Sequence, residues 1–118
     1  MKLEAGMYVR HKPLLSSKYV KINKIKEIEE KENCLHIWLE DNDLITEKYL
    51  IKASYNIIDI LEIGDYVNGL LVTRICEDNE TKEKYINLYG SLCEWENEDI
   101  KSIITKEQME QMAYKVGE

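Results

Sequence analysis

The chain has 118 residues and a mass of 14.0 kDa, with 16 basic and 23 acidic side chains giving a formal charge of −7 at pH 7. That length holds one ordinary domain or two very small ones and excludes a catalytic domain with an added lid. With 44% apolar and 33% charged residues the composition is globular rather than disordered, and no apolar run is long enough to span a bilayer.

Leu3-Glu4-Ala5-Gly6-Met7-Tyr8-Val9 opens the chain and leads into the polar excursion His11–Lys18. The stretch Tyr19–Ile28 follows as a strand that loses strict alternation near Asn23-Lys24, which predicts a bulge or bend there. Leu35–Leu39 alternates with period two, placing Leu35, Ile37 and Leu39 inward and His36 and Trp38 outward. Asp41-Asn42-Asp43 reads as a loop. Ile57-Ile58-Asp59-Ile60-Leu61 reads as an isoleucine-rich strand that closes a first unit.

The second half runs through the same kinds of element. Asn68-Gly69 is a strong tight-turn signal, because both residues tolerate positive φ. Leu70–Ile75 is the next strand, Glu77–Glu80 a polar loop, and Ile86–Tyr89 an alternating strand. There Ile86 and Leu88 face inward, and Tyr85, Asn87 and Tyr89 outward. Ile100–Ile104 closes this unit as a strand. Thr105-Lys106-Glu107-Gln108 has the form of a capping box and predicts a short helix from about Lys106 to Met112. Ala113–Val116 reads as a final strand or extended tail.

The order of these blocks is an internal repeat. Leu3–Val9 returns as Leu61-Glu62-Ile63-Gly64-Asp65-Tyr66-Val67 at an offset of 58. Leu35–Leu39 matches Ile86–Gly90 at 51, and Ile57–Leu61 matches Ile100–Ile104 at 43. The falling offset points to shorter loops in the second copy. The expectation is a mainly β protein of two tandem small SH3-like barrels, residues 1–60 and 61–118, with a short C-terminal helix. Units this small bury little apolar area alone, so contact between them is expected rather than free motion on a linker.

The net charge is divided unevenly. Residues 1–60 balance ten basic against ten acidic side chains, whereas residues 61–118 set six against thirteen. The basic stretch of the first unit holds Arg10, Lys12, Lys18, Lys21, Lys24 and Lys26. The acids of the second form two groups, Glu77, Asp78, Glu80 and Glu83, then Glu94, Glu96, Glu98 and Asp99.

Gly6-Met7-Tyr8-Val9-Arg10 resembles the opening of a group of uncharacterised short proteins of Gram-positive bacteria and their prophages. Asn56–Gly69, with its Glu62-Ile63-Gly64-Asp65-Tyr66-Val67-Asn68-Gly69 core, is similar to their midpoint. Glu98–Met109, with Ile103-Ile104-Thr105-Lys106-Glu107-Gln108, and Met112–Val116 resemble their ending. The resemblance covers about a third of the chain, carries over no site residues, and implies a phage-associated cytoplasmic origin.

Three function classes follow. Catalysis is disfavoured: no nucleophile elbow, phosphate-binding loop or H-E-x-x-H is present, and His11 and His36 have no companion nucleophile. No cofactor is expected. Cys34, Cys76 and Cys93 suit a reducing compartment, and Cys34 with His36 is too small a set for a closed zinc site unless Cys76, Cys93 or a carboxylate joins them. Nucleic-acid binding would use the basic stretch with Tyr8 and Tyr19. Protein binding is favoured, with His36, Trp38, Tyr85 and Tyr89 as outward aromatic anchors for a host or phage protein. The alternative for those side chains is burial between the two units. A further version casts the acidic unit as a nucleic-acid mimic that inhibits a defence enzyme of the CRISPR or restriction type.

Overall fold

Short β-branched runs separated by turn residues give strands rather than helices throughout. A computed structural model describes residues 2–14 and 19–112. The chain divides into two compact units, Met1–Ile60 and Leu61–Glu118. Both are mainly β, each with one antiparallel sheet among the described residues. The expected final strand or extended tail at 113–116 and the loop residues 15–18, Lys18 among them, lie outside the described residues.

The first unit contains β1 (Tyr8–His11), β2 (Lys21–Lys31), β3 (Cys34–Leu39), β4 (Leu44–Ile45) and β5 (Leu50–Ser54). Their order across the sheet is β4-β3-β2-β1-β5. Glu47–Tyr49 is a 3-10 turn before β5, and Ile57–Ile60 a second one after it. The second unit contains β6 (Tyr66–Val67), β7 (Leu70–Glu77), β8 (Lys84–Leu88), the 3-10 turn Asn97–Asp99, β9 (Ile103–Ile104) and α1 (Lys106–Met112). Its sheet order is β8-β7-β6-β9, and Trp95 bridges Ile86 on the outer side of β8. In both units the first strand therefore lies between the second and the last.

Equivalent backbone bonds fix the true register of the repeat. Gly6 N–H donates to the Ile25 carbonyl at 2.8 Å, and Ile25 N–H to that of Met7 at 2.8 Å. In the second unit Gly64 N–H donates to Val72 at 3.0 Å, and Val72 N–H to Asp65 at 2.8 Å. Gly6 and Gly64 sit at φ +93° and +104°, which an L side chain rarely adopts, so both turns require glycine. Ile25 thus corresponds to Val72, and the bulge follows each of them, at Ile25–Glu27 and Val72–Arg74. The bulge falls just beyond the expected Asn23-Lys24.

Two sequence expectations are corrected by this register. Cross-strand partners equate Ile37 with Ile86 and Leu39 with Leu88, an offset of 49 rather than 51. The offset does not fall steadily: it drops from 58 to 47 within the first hairpin and then stays near 50. Ile57–Ile60 is not the closing strand. The strand equivalent to β9 is β5, because Tyr8 pairs with Ser54 as Tyr66 pairs with Ile104.

The first core gathers Met7, Val9, Ile25, Ile37, Leu39 and Ile45, with Leu3, Leu14, Ile28, Tyr49, Leu50 and Ala53 around it. Leu35 is only half-buried. Val67, Val72, Ile86 and Leu88 are buried in the second unit. No described helix is long and apolar enough to cross a membrane.

Candidate protein-binding face

Directly opposed residues of antiparallel strands project to one side of the sheet. Ile28 and Ile45 both face Ile37, and this row belongs to the core. One residue further along β3, Glu27, Trp38 and Leu44 form the neighbouring row on the opposite side. Glu29 and His36 make the next row on that side, and Lys31 and Cys34 the last. The tight turn Glu32-Asn33, with both residues at positive φ, ends the hairpin there.

This face combines apolar area with negative charge. Trp38 keeps 37% of its surface exposed and Leu44 40%, side by side across the β3–β4 pair. Glu27 and Glu29 are exposed and His36 is half-buried. The Lys31 ammonium stands 3.3 Å from Glu29 Oε1 in a solvated pair, which competing charges displace at little cost. Leu44 and the two glutamates were not singled out from the sequence. The signal available for Leu44 was its position before the inward Ile45, directly after a loop.

The second unit does not repeat the arrangement. Asn87 occupies the position of Trp38, opposite Arg74, and Tyr85 that of His36, opposite Cys76. The Cys76 thiol, through its hydrogen bond and charge, pushes the Tyr85 phenol above its ordinary range; burial and Glu94 add to this and Arg74 opposes it. Tyr89 is 71% exposed but lies past the end of β8, where its N–H donates to the Leu71 carbonyl. The strand thus ends one residue short of the expected Tyr89, whose ring is nonetheless exposed. His36 and Trp38 share one face, and Tyr85 stands on the outward side of another sheet.

The acidic residues divide by role. Asp78 Oδ1 accepts the Thr81 and Glu80 N–H groups at 3.0 and 2.8 Å, and these bonds hold its carboxyl below the usual range. Asp99 Oδ2 accepts the Glu96 N–H at 2.9 Å, so it caps the 3-10 turn Asn97–Asp99. Glu96 is pushed above its ordinary range chiefly by its hydrogen bond and charge interaction with Glu98, with burial, Glu83 and Asp99 adding to the effect. Glu77, Glu80 and Glu94 are exposed.

The basic stretch does not form one solvent-facing patch. Arg10 is 1% exposed, and its guanidinium donates to the Ile60 carbonyl at 3.3 Å. Lys21 approaches Asp41 at 3.7 Å, and the Lys24 ammonium lies 5.4 Å from the centre of the Tyr8 ring. Lys12 and Lys26 are exposed. The charge count that suggested a phosphate-binding strip therefore includes a cation used inside the fold.

His11 is likewise consumed by structure. It is buried, and Nδ1 lies 2.8 Å from the Lys12 carbonyl, so Nδ1 carries the proton. Nε2 then accepts from the Asn23 amide at 3.0 Å, and the same NH2 group donates to Asp41 Oδ2 at 3.1 Å. A histidine with both ring nitrogens committed is a structural link rather than a free base. Among the described residues no three His, Cys, Asp or Glu side chains gather as a metal-binding group.

No protein-family model, curated protein or solved structure matches this chain. On the Trp38 face, exposed apolar area from two paired strands adjoins the carboxylates of a third.

Proposed function

We propose that the chain is a non-enzymatic protein-binding module made of two tandem SH3-like units, acting on a host or phage protein in the cytoplasm. The tandem reading draws support from the shared strand order, the equivalent bulges, and a 3-10 turn before the last strand of each unit. The prophage-type origin draws on the sequence resemblance alone. The observation that carries the binding function is the exposed Trp38–Leu44 pair on a sheet whose other side is core. Large apolar side chains held at the solvent boundary act as anchors, because a partner removes their remaining area from water without reordering them.

The test compares immobilised wild-type chain with Trp38→Ser and Leu44→Ser. A stoichiometric protein partner retained by wild type and lost from both variants supports the reading. Equal retention by all three, or no partner at all, overturns it. Iodide quenching of Trp38, followed in a Trp95→Phe background, checks independently that the indole meets solvent.

A second reading casts the acidic unit as a nucleic-acid mimic directed at a defence enzyme. It is favoured by the convergence of acids around Glu96, whose pKa is raised first by its hydrogen bond with Glu98, then by the Glu98 charge, burial, and the charges of Glu83 and Asp99. Its test is inhibition of a nuclease by wild type that is relieved by Glu96→Gln with Glu98→Gln. The third reading, nucleic-acid binding through the basic stretch, has lost Arg10 as a ligand. Unchanged DNA mobility at low salt would end it.

A further inference from the structure

The Trp38 face has an electrostatic pattern as well as an apolar one, and it deepens the protein-binding reading on which it rests. Glu27 lies directly across from Trp38, with Leu44 on the other side of the indole. Glu29 lies one row further along β2, on the same side of the sheet. We propose that this face binds an extended, arginine-bearing polypeptide segment with basic residues two positions apart.

Extended chains place residues i and i+2 on one side, roughly 6.8 Å apart, and Glu27 and Glu29 have the same periodicity along β2. A segment lying along the strands thus brings two cations over two carboxylates. The first has an additional partner, because a guanidinium stacks on an indole while its fork reaches a neighbouring carboxylate. Leu44 supports an aliphatic stem or a small apolar neighbour. Lys31 closes the pattern, since it takes the next position on this side of β2 and repels a third cation. Lys26 sits within the bulge and is the other exposed cation close in sequence. Lysine would satisfy the charge but not the planar stacking, so arginine is preferred at the first site.

The experiment uses the full chain labelled with nitrogen-15, in which the two indole N–H signals of Trp38 and Trp95 are assigned through Trp38→Phe. The probe is a capped eight-residue peptide, otherwise alanine and serine, carrying arginines at i and i+2. Saturable shifts of the Trp38 indole and of Glu27 and Glu29 amides, with Trp95 unmoved, are expected. Glu27→Gln with Glu29→Gln should weaken binding about fivefold to tenfold, and lysine at i should bind less tightly than arginine. A peptide with arginines at i and i+3 should also be weaker. Shifts confined to the acidic second unit, or affinity unchanged by the glutamine variants, would overturn the proposal. A neutral leucine and tyrosine peptide that shifts Trp38 equally well would overturn the basic-partner inference while leaving the protein-binding reading intact. No response of Trp38 to any peptide would overturn the inference, whereas the broader reading stands or falls on partner retention by the serine variants.

Discussion

The Asp65 carboxylate takes the place of the Met7 thioether in the repeat, and both accept the same backbone donor. Met7 Sδ accepts the Glu4 N–H at 3.2 Å, and Asp65 Oδ2 accepts the Glu62 N–H at 2.8 Å. Asp65 adds a bond that sulfur lacks: Oδ1 accepts the Lys106 N–H at 2.9 Å, at the start of α1. A buried carboxylate here links the opening turn of the second unit to its terminal helix, where the first unit has an apolar plug.

Asp65→Ala should therefore destabilise the second unit by roughly 2–5 kcal/mol, since two backbone donors lose a charged acceptor inside the protein. Urea unfolding followed by Trp95 fluorescence in a Trp38→Phe background measures it. A cost below about 0.5 kcal/mol would contradict the linking role.

Arg10→Ala should cost about 3 kcal/mol, because it empties a buried site and removes a donor to the Ile60 carbonyl. Lys12→Glu and Lys26→Glu, on exposed residues, should leave the unfolding midpoint nearly unchanged. If Arg10 belonged to a surface patch, all three would behave alike.

The Asp41 carboxyl gives a pH signature. Burial raises its pKa, but the Asp43 N–H, the Asn23 amide and the Lys21 charge outweigh that and hold it below its ordinary value of 3.8. A depressed carboxyl contributes stability that is fully present above the unfolded value and is lost as pH falls through the folded one. Asp41→Asn should accordingly be less stable than wild type at pH 7, and the gap should close below about pH 3.8. Urea midpoints at pH 7, 5, 3 and 2 test this.

Glu96 should show the opposite sign. Its pKa stands above the ordinary 4.5, so the associated stability is present below that value and lost as pH rises through the folded one. Glu98→Gln removes the main cause and should stabilise the protein at neutral pH but not at pH 3. High salt should shrink the neutral-pH gain, because these carboxylates are exposed and screened.

Much of the fold was legible in local pattern. Asn68-Gly69 turns as its chemistry requires, with both residues at positive φ between paired Val67 and Leu70. The box at Thr105 and Gln108 closes as expected, with Thr105 Oγ1 accepting the Gln108 N–H at 3.1 Å and Gln108 Oε1 accepting the Thr105 N–H at 2.9 Å. Register was less legible. Alternation repeats every two residues, so a slip of two keeps every side chain on its expected face and leaves the pattern unchanged. That is why the sequence pattern matches Ile86 to Leu35, whereas strand pairing matches it to Ile37. Ile57–Ile60 had strand composition, yet Ser54 Oγ donates to Asp59 at 2.6 Å and accepts the Asn56 N–H at 3.0 Å, which folds the segment into a turn. Local hydrogen bonds there outweigh the β-propensity of isoleucine.

The candidate face was half legible. Trp38 and His36 followed from alternation on one strand, but Leu44, Glu27 and Glu29 belong to other strands and join the face only through pairing. The uneven division of the −7 charge between the halves, the likeness of Leu3–Val9 to Leu61–Val67 and the strand-rich character follow from the order of residues alone, since charge and periodicity are properties of the chain. Which charges meet solvent was decided by tertiary structure. Arg10 and Lys26 are equal in a charge count, yet one guanidinium lies inside against the Ile60 carbonyl and the other cation stays outside. Burial depends on what packs over a side chain, and those neighbours are distant in sequence.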